Sequence, residues 1–287
     1  MQKFTIKDFN KRFPDEAACV AEIFNRKYGT LKICPNRRCK KETRFHRLKN
    51  RKCYVCQYCG YQIHPLGGTI FHKSDTSLKS WFFAIFLFAN SRNGVSAMEL
   101  KRQLGVTYKT AWRMAKQIRK LFKQQEKQLL SRIVEADETY IGARRPMNQK
   151  MSNKSAVVAM VERGGKVHAV SGRKLANIHV SQTLHQNVDH KAHLMTDQAL
   201  LYRKVGREFK KHDRIRHDIG QYVKGIVHTN TIEGFFSHLK RGIVGTYASV
   251  SPKYLQSYVD EFAYRYNLRN LGASLFYPMI SRAAQPA

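Results

Sequence analysis

The sequence predicts a multidomain chain in which a small cysteine-rich β module, a helical module and a larger α/β domain follow one another. Three observations predict it. All six cysteines lie before residue 60, residues 77–128 carry three helical patterns, and beyond Arg132 runs of β-branched residues alternate with helical stretches. The 287 residues are 43% hydrophobic, which excludes a disordered tail or a collagen-like fibre and leaves room for more than one core.

The chain opens with a helix signal over residues 4–28. Pro14-Asp15 offers a start, Ala17, Ala18, Val20, Ala21 and Phe24 recur at helical spacing, and Gly29 stops the run. Within it, Cys19 reads as an ordinary buried thiol.

From Leu31 to Gly68 the composition turns to Cys, Tyr, Arg and Lys in short alternating runs, the pattern of small hairpins. Cys34-Pro-Asn-Arg-Arg-Cys39 and Cys56-Gln-Tyr-Cys59-Gly60 place two pairs sixteen residues apart, the layout of two knuckles closing a tetrahedral thiolate site. Cys34, Cys39, Cys56 and Cys59 are the expected Zn²⁺ ligands. Cys53, three before Cys56, is a competing thiol read as the spare. Four thiolates leave no position for water, so this zinc would be structural and would hold a module too small for a sufficient apolar core.

Ser77 caps an apolar helix from Leu78 to Asn90, which Ser91-Arg-Asn-Gly94 breaks. Ser96-Ala-Met-Glu99 has capping-box form and opens a short helix through Leu104; Gly105 makes a tight turn, and Thr107 caps a third helix running past Ile118. Short helix, glycine turn and longer helix spell a helix-turn-helix, whose second member enters a DNA major groove. Between Leu100 and Arg132 ten Lys or Arg face a single acid, Glu126. Tyr108, Lys109, Arg113, Lys116 and Arg119 on that last helix are the expected DNA contacts.

The whole chain carries 52 Lys and Arg against 20 Asp and Glu, a formal charge of +32 that calls for a polyanionic partner. Its most apolar stretch, Trp81 to Ala89, is nine residues, about half the ~20 of a spanning helix. A soluble, cytosolic DNA-binding protein is therefore expected rather than a membrane protein.

With acids so few, those in apolar surroundings stand out. Ile133 to Ile141 reads as a strand carrying Asp137 and ended by Gly142. Ala156–Val161 and Lys166–Val170 read as two more strands across a glycine turn, Val180–Val188 as a helix, and His193–Asp197 as a short strand with an acid at its C-terminal end. His228-Thr-Asn230-Thr-Ile-Glu233 then opens a helix on which Lys240 and Arg241 lie two turns on, with Asn230 one turn before Glu233. Acids on two strands and a covering helix can converge, and the usual reason to tolerate their repulsion is to hold divalent cations. Two ions roughly 3.5–4 Å apart would serve an in-line phosphoryl displacement.

The chain resembles the DDE transposases of insertion-sequence family 1595, the ISXO-like group with an N-terminal zinc ribbon. The resemblance is carried by Phe13-Pro14-Asp15, the Cys34–Cys59 ribbon, Gly68-Thr-Ile-Phe71, Val134–Gly142, Thr196-Asp197, His228–Phe235, Leu239-Lys240-Arg-Gly and Asp260–Asn267. It implies four parts: residues 1–29 as an N-terminal support helix, 30–68 as the zinc ribbon, 69–130 as the helix-turn-helix DNA-binding domain, and 131–287 as an RNase H-like catalytic core. It further implies cleavage of the element's 3′ ends and their transfer into target DNA with two Mg²⁺ or Mn²⁺ ions. A homo-oligomer, a dimer or larger, on DNA at a prokaryotic nucleoid also follows from it. Asp137 and Asp197 match the first two metal positions. The third is Glu233 or Asn230, and Lys240 is a phosphate contact beside them. The alternative is a catalytically inactive DNA-binding repressor or domesticated remnant.

Overall fold

The structure, a computed structural model, describes residues 4–123, 128–142, 154–197, 199–215, 227–271 and 275–286. The chain divides into two compact units: residues 1–91, 95–121 and 272–287 form one, and residues 92–94 and 122–271 the other.

In the first unit the leading helical signal becomes two helices, α1 (Ile6–Arg12) and α2 (Glu16–Tyr28), because Pro14 cannot continue the first. Thr5 and Asp8 form a capping box on α1, and Asp15 caps α2. Three short strands follow, β1 (Phe45–Arg47), β2 (Tyr54–Cys56) and β3 (Gln62–Ile63), in an antiparallel sheet of that order.

Next come α3 (Leu78–Asn90), α4 (Ala97–Leu104) and α5 (Tyr108–Lys120). Helix α3 is apolar on nearly every side because it has neighbours all round: α2, α4, α5 and the last helix, α10 (Phe276–Ala283), all pack on it. Phe4, Phe9, Phe13, Phe82, Phe86 and Phe276 form its aromatic centre. The Glu16 carboxylate accepts from the Leu78 and Lys79 N–H groups and so caps α3 from α2. Ser96 and Thr107 cap α4 and α5 as their sequence suggests, although Glu99 does not complete a box and bonds Arg102 and Gln103 instead. Gly105 turns between α4 and α5 at φ +64°, where a side chain would be strained.

The second unit is a five-stranded sheet: β4 (Ile133–Ile141), β5 (Ser155–Glu162), β6 (Val167–Gly172), β7 (His193–Asp197) and β8 (Lys211–Ile215), in the order β6-β5-β4-β7-β8. The first three strands pair antiparallel; β4–β7 and β7–β8 are parallel. On one face lie α6 (Val180–Asn187) and α7 (Leu200–Val205), where Leu184, Tyr202 and Val205 cover Val134, Ala136, Met160 and Leu194. On the other lie α8 (Asn230–Gly242) and α9 (Leu255–Asn267), where Ile232, Phe235, Leu239, Val259 and Phe262 cover Val157, Ala159 and Val161. Alternate residues of β4 and β5 serve the two cores, the period-2 rule of a sheet buried on both faces.

Two features depart from the sequence expectation. Residues 275–286 lie with the first unit, not with the α/β domain in which 131–287 placed them, since Phe276 stacks on Phe4 at 4.8 Å and meets the rings of Phe9, Phe13 and Phe82. The strand β8 and helix α7 were not anticipated. No described helix is long and apolar enough to cross a membrane.

Candidate functional site

In the first unit the sulfurs of Cys34, Cys39, Cys56 and Cys59 all lie within 4.8 Å of one another, and Cys34 and Cys59 are 3.6 Å apart. Four sulfurs around a zinc ion at ~2.3 Å would stand roughly 3.8 Å apart, so the quartet fits a tetrahedral site that could hold zinc. The knuckles are built alike. After Cys59, Gly60 takes φ +70° and its N–H returns to the Cys56 carbonyl at 3.0 Å; after Cys39, Lys40 takes φ +45° and its N–H returns to Asn36 at 3.1 Å. Burial alone would raise the Cys56 thiol, but the Thr43 hydroxyl 3.3 Å away and the N–H groups of Cys59 and Tyr58 bring it down to about 6. Burial pushes the Cys34 thiol up to about 12, opposed by the Asn36 N–H and reinforced by the three neighbouring thiols. Cys53 is fully buried outside the cluster, with its sulfur 3.9 Å from Gln62 Oε1.

On α5, Tyr108 is half exposed, and Lys109, Arg113 and Lys116 are exposed. Lys116 sits over the Trp112 ring, and Arg113 bonds the Ser74 hydroxyl at 2.9 Å. Arg119 departs from its expected role as a DNA contact. It is only 4% exposed, donates to the Val95 carbonyl at 3.1 Å and covers the Phe88 ring. Its place on the Ala111-Ala115-Arg119 stripe points it into the helical core, so it is structural. Glu126, the one acid of the basic stretch, lies outside the described residues.

In the second unit the parallel register pairs Ala136 of β4 with Thr196 of β7, so the next residues, Asp137 and Asp197, stand side by side, both partly buried. Asp137 Oδ1 accepts the Glu138 N–H at 2.8 Å, and Asp197 Oδ1 accepts the Ala199 N–H at 2.9 Å. Desolvation raises the Asp137 carboxyl to about 7. The Glu138 N–H works against this, while the charges of Glu138, Asp197 and Glu233 add to it. Glu233, exposed on the first turn of α8, accepts the Thr229 hydroxyl at 3.0 Å. Asn230 opens the same helix, and Lys240 and Arg241 are exposed in its last turn. The three acids thus share one electrostatic neighbourhood. Among the described residues, the cysteine quartet is the group whose metal-ligating atoms all lie within 4.8 Å of one another.

Two neighbouring acids carry no signal of their own in the sequence. Glu138 is held by the Tyr202 hydroxyl at 2.9 Å, and its carboxyl is raised chiefly by burial, with the Asp197 charge adding to the rise. Glu135, on the same face of β4 as Asp137, is paired with Arg163 at 2.6 Å. The alternation Glu135, Asp137, Thr139 along one strand was the available signal for a polar stripe.

Residues 129–267 match the family model of the ISXO2-like transposase domain. Over 252 residues, 81% of this chain and 84% of the relative, the chain is 24% identical to an uncharacterized protein in transposable element ISH50 of Halobacterium salinarum. No solved structure matches the chain. Over residues 129–267 the chain is therefore similar to the ISXO2-like transposase domain, and over most of its length to a protein of a transposable element.

Proposed function

We propose that this chain is a transposase of insertion-sequence family 1595 that binds the terminal repeats of its element and performs metal-dependent 3′-end cleavage and strand transfer into target DNA. The sheet order, with a central strand β4 flanked by antiparallel β5 and parallel β7, reads as an RNase H-like core. The observation that carries the reading is the pairing of Asp137 and Asp197 on adjacent parallel strands, with the charge of Glu233 acting on Asp137.

Oxygen donors from three carboxylates suit a hard divalent cation. Asp137, Asp197 and Glu233 would hold Mg²⁺ or Mn²⁺, and Asn230 is the alternative third ligand. Such ions supply activation of a water or 3′-hydroxyl and stabilisation of the leaving oxygen. The protein's own groups do the rest. The N–H groups of Glu138 and Ala199 fix the orientation of Asp137 and Asp197 from the main chain, and Lys240 and Arg241 would neutralise phosphate charge along α8. Helices α4 and α5 form the helix-turn-helix. Tyr108, Lys109, Arg113 and Lys116 meet the DNA, and the quartet holds a structural zinc. Assembly on paired DNA ends as a homo-oligomer completes the reading.

The test is strand cleavage of DNA carrying the element's ends. Asp197→Ala is expected to abolish cleavage in Mg²⁺ or Mn²⁺ while leaving binding of the ends intact. Undiminished cleavage would overturn the proposal, and tight binding without nicking by the unaltered chain would identify a repressor instead.

A further inference from the structure

The strand that carries Asp137 holds a second acid that the proposed reaction does not use. Glu135 is fully buried, two residues before Asp137 and on the same face of β4. Its carboxylate accepts the Thr231 N–H at 2.8 Å, the Thr231 hydroxyl at 2.9 Å and the Ile232 N–H at 3.0 Å. It also accepts from Arg163 Nε at 2.6 Å, while the nearby His228 ring accepts the Asn230 N–H through Nδ1 at 3.4 Å. Arg163 reaches the same corner twice, because its Nη2 donates to the His228 carbonyl at 2.9 Å. Its main-chain N–H donates to Ile133 at 3.0 Å, which ties the guanidinium to the sheet.

These donors identify what the carboxylate does. The first N–H groups of a helix have no partner within it, and a negative charge there also meets the positive end of the helix dipole. The N-cap residue of α8, Thr229, does not cap it, because its hydroxyl turns to Glu233 instead, and His228 Nδ1 takes only the Asn230 N–H at 3.4 Å. The cap comes from Glu135, 96 positions earlier in the chain and two residues from Asp137.

We infer that Glu135 is a positioning residue. Its carboxylate, backed by Arg163, fixes the start of α8 against β4 and thereby sets where Asn230 and Glu233 stand relative to Asp137. The inference rests on the reading of Asp137, Asp197 and Glu233 as metal-binding carboxylates.

The experiment is a Mn²⁺ titration of the full, zinc-loaded chain, with free Mn²⁺ followed by its paramagnetic resonance signal. Glu135→Gln keeps the size of the side chain and one acceptor oxygen but turns the other into a donor facing donors. Losing groups that orient metal ligands weakens affinity roughly 10–100-fold, and at least tenfold weaker Mn²⁺ binding is expected here at a temperature where the variant is fully folded. A merely structural Glu135 would lower the unfolding temperature and leave the affinity of the folded protein alone. That outcome, with Asp137→Asn losing Mn²⁺, overturns the inference but not the reading beneath it. Unchanged affinity in both variants overturns both. Should Glu135→Gln fail to fold, Thr231→Ala tests the same clamp from the helix side. Roughly three- to tenfold weaker binding, the size of one hydrogen bond, is expected, and unchanged affinity overturns the inference.

Discussion

Asp137→Asn is expected to stabilise the metal-free protein. The Asp137 carboxyl is raised from 3.8 to about 7, mainly by desolvation and further by the charges of Glu138, Asp197 and Glu233. The sign follows from linkage. A carboxyl whose folded value lies above its unfolded value resists ionisation in the folded state, so the fold is penalised increasingly as pH climbs from 3.8 and fully above about 7. Worked through, the penalty is about 2 kcal/mol at pH 5 and about 4 kcal/mol at pH 8. An amide of the same shape escapes it. Urea denaturation of both proteins, treated with chelator and with the ribbon zinc left in place, should show the variant more stable, with the gap widening by about 2 kcal/mol between pH 5 and 8. Millimolar Mg²⁺ should then stabilise the unaltered chain and not the variant. A variant no more stable than the parent at pH 8, or a gap that does not change with pH, would refute the argument that these acids are held together against their own repulsion.

Three further outcomes follow from the same geometry. Cys56→Ser should lose the zinc, whereas Cys53→Ser should retain one ion per chain, read by metal analysis after gel filtration; equal loss would redraw the ligand set. Lys109→Ala and Arg113→Ala should each lower the salt dependence of DNA binding by about one counterion. Arg119→Ala should leave that slope unchanged and cost roughly 1–3 kcal/mol of stability for the lost buried contacts, so a slope change equal to that of Arg113→Ala would place Arg119 on the DNA. Mn²⁺ affinity should tighten as pH rises to about 7, because the proton on Asp137 must leave before an ion can bind, and a flat profile from pH 6 to 8 would contradict this.

What could be read from the sequence was what local chemistry dictates. The cysteine pairs announced themselves because knuckle spacing is set by metal geometry, and Gly60 marked the left-handed turn it makes at φ +70°; Lys40 makes the matching turn with no such signal. The caps of α3, α4 and α5 were visible because Ser and Thr hydroxyls compete for N–H groups wherever a helix starts. Asp137 stood out as an acid within an apolar strand and Asp197 as an acid at the end of one, but their adjacency depends on the parallel pairing of β4 with β7, which no local pattern encodes.

The misses have physical causes too. The residues of β8, Lys-His-Asp-Arg-Ile, show no apolar alternation because the strand lies at the sheet edge. Helix α10 displays an apolar face without saying which partner covers it. Arg119 was read by its charge, although helical spacing from Ala111 and Ala115 placed it toward the core. Glu135 looked like one more acid beside Asp137; that it caps a helix 96 residues away is a tertiary fact.

The central claim is that Asp137, Asp197 and a residue from the first turn of α8 hold divalent metal together. Anomalous diffraction from crystals of the full chain soaked in Mn²⁺ tests it most directly. The account predicts manganese peaks within bonding distance of both Asp137 and Asp197, one of them also reached by Glu233 or Asn230. Peaks elsewhere only, with the two aspartates bare under saturating Mn²⁺, would contradict it.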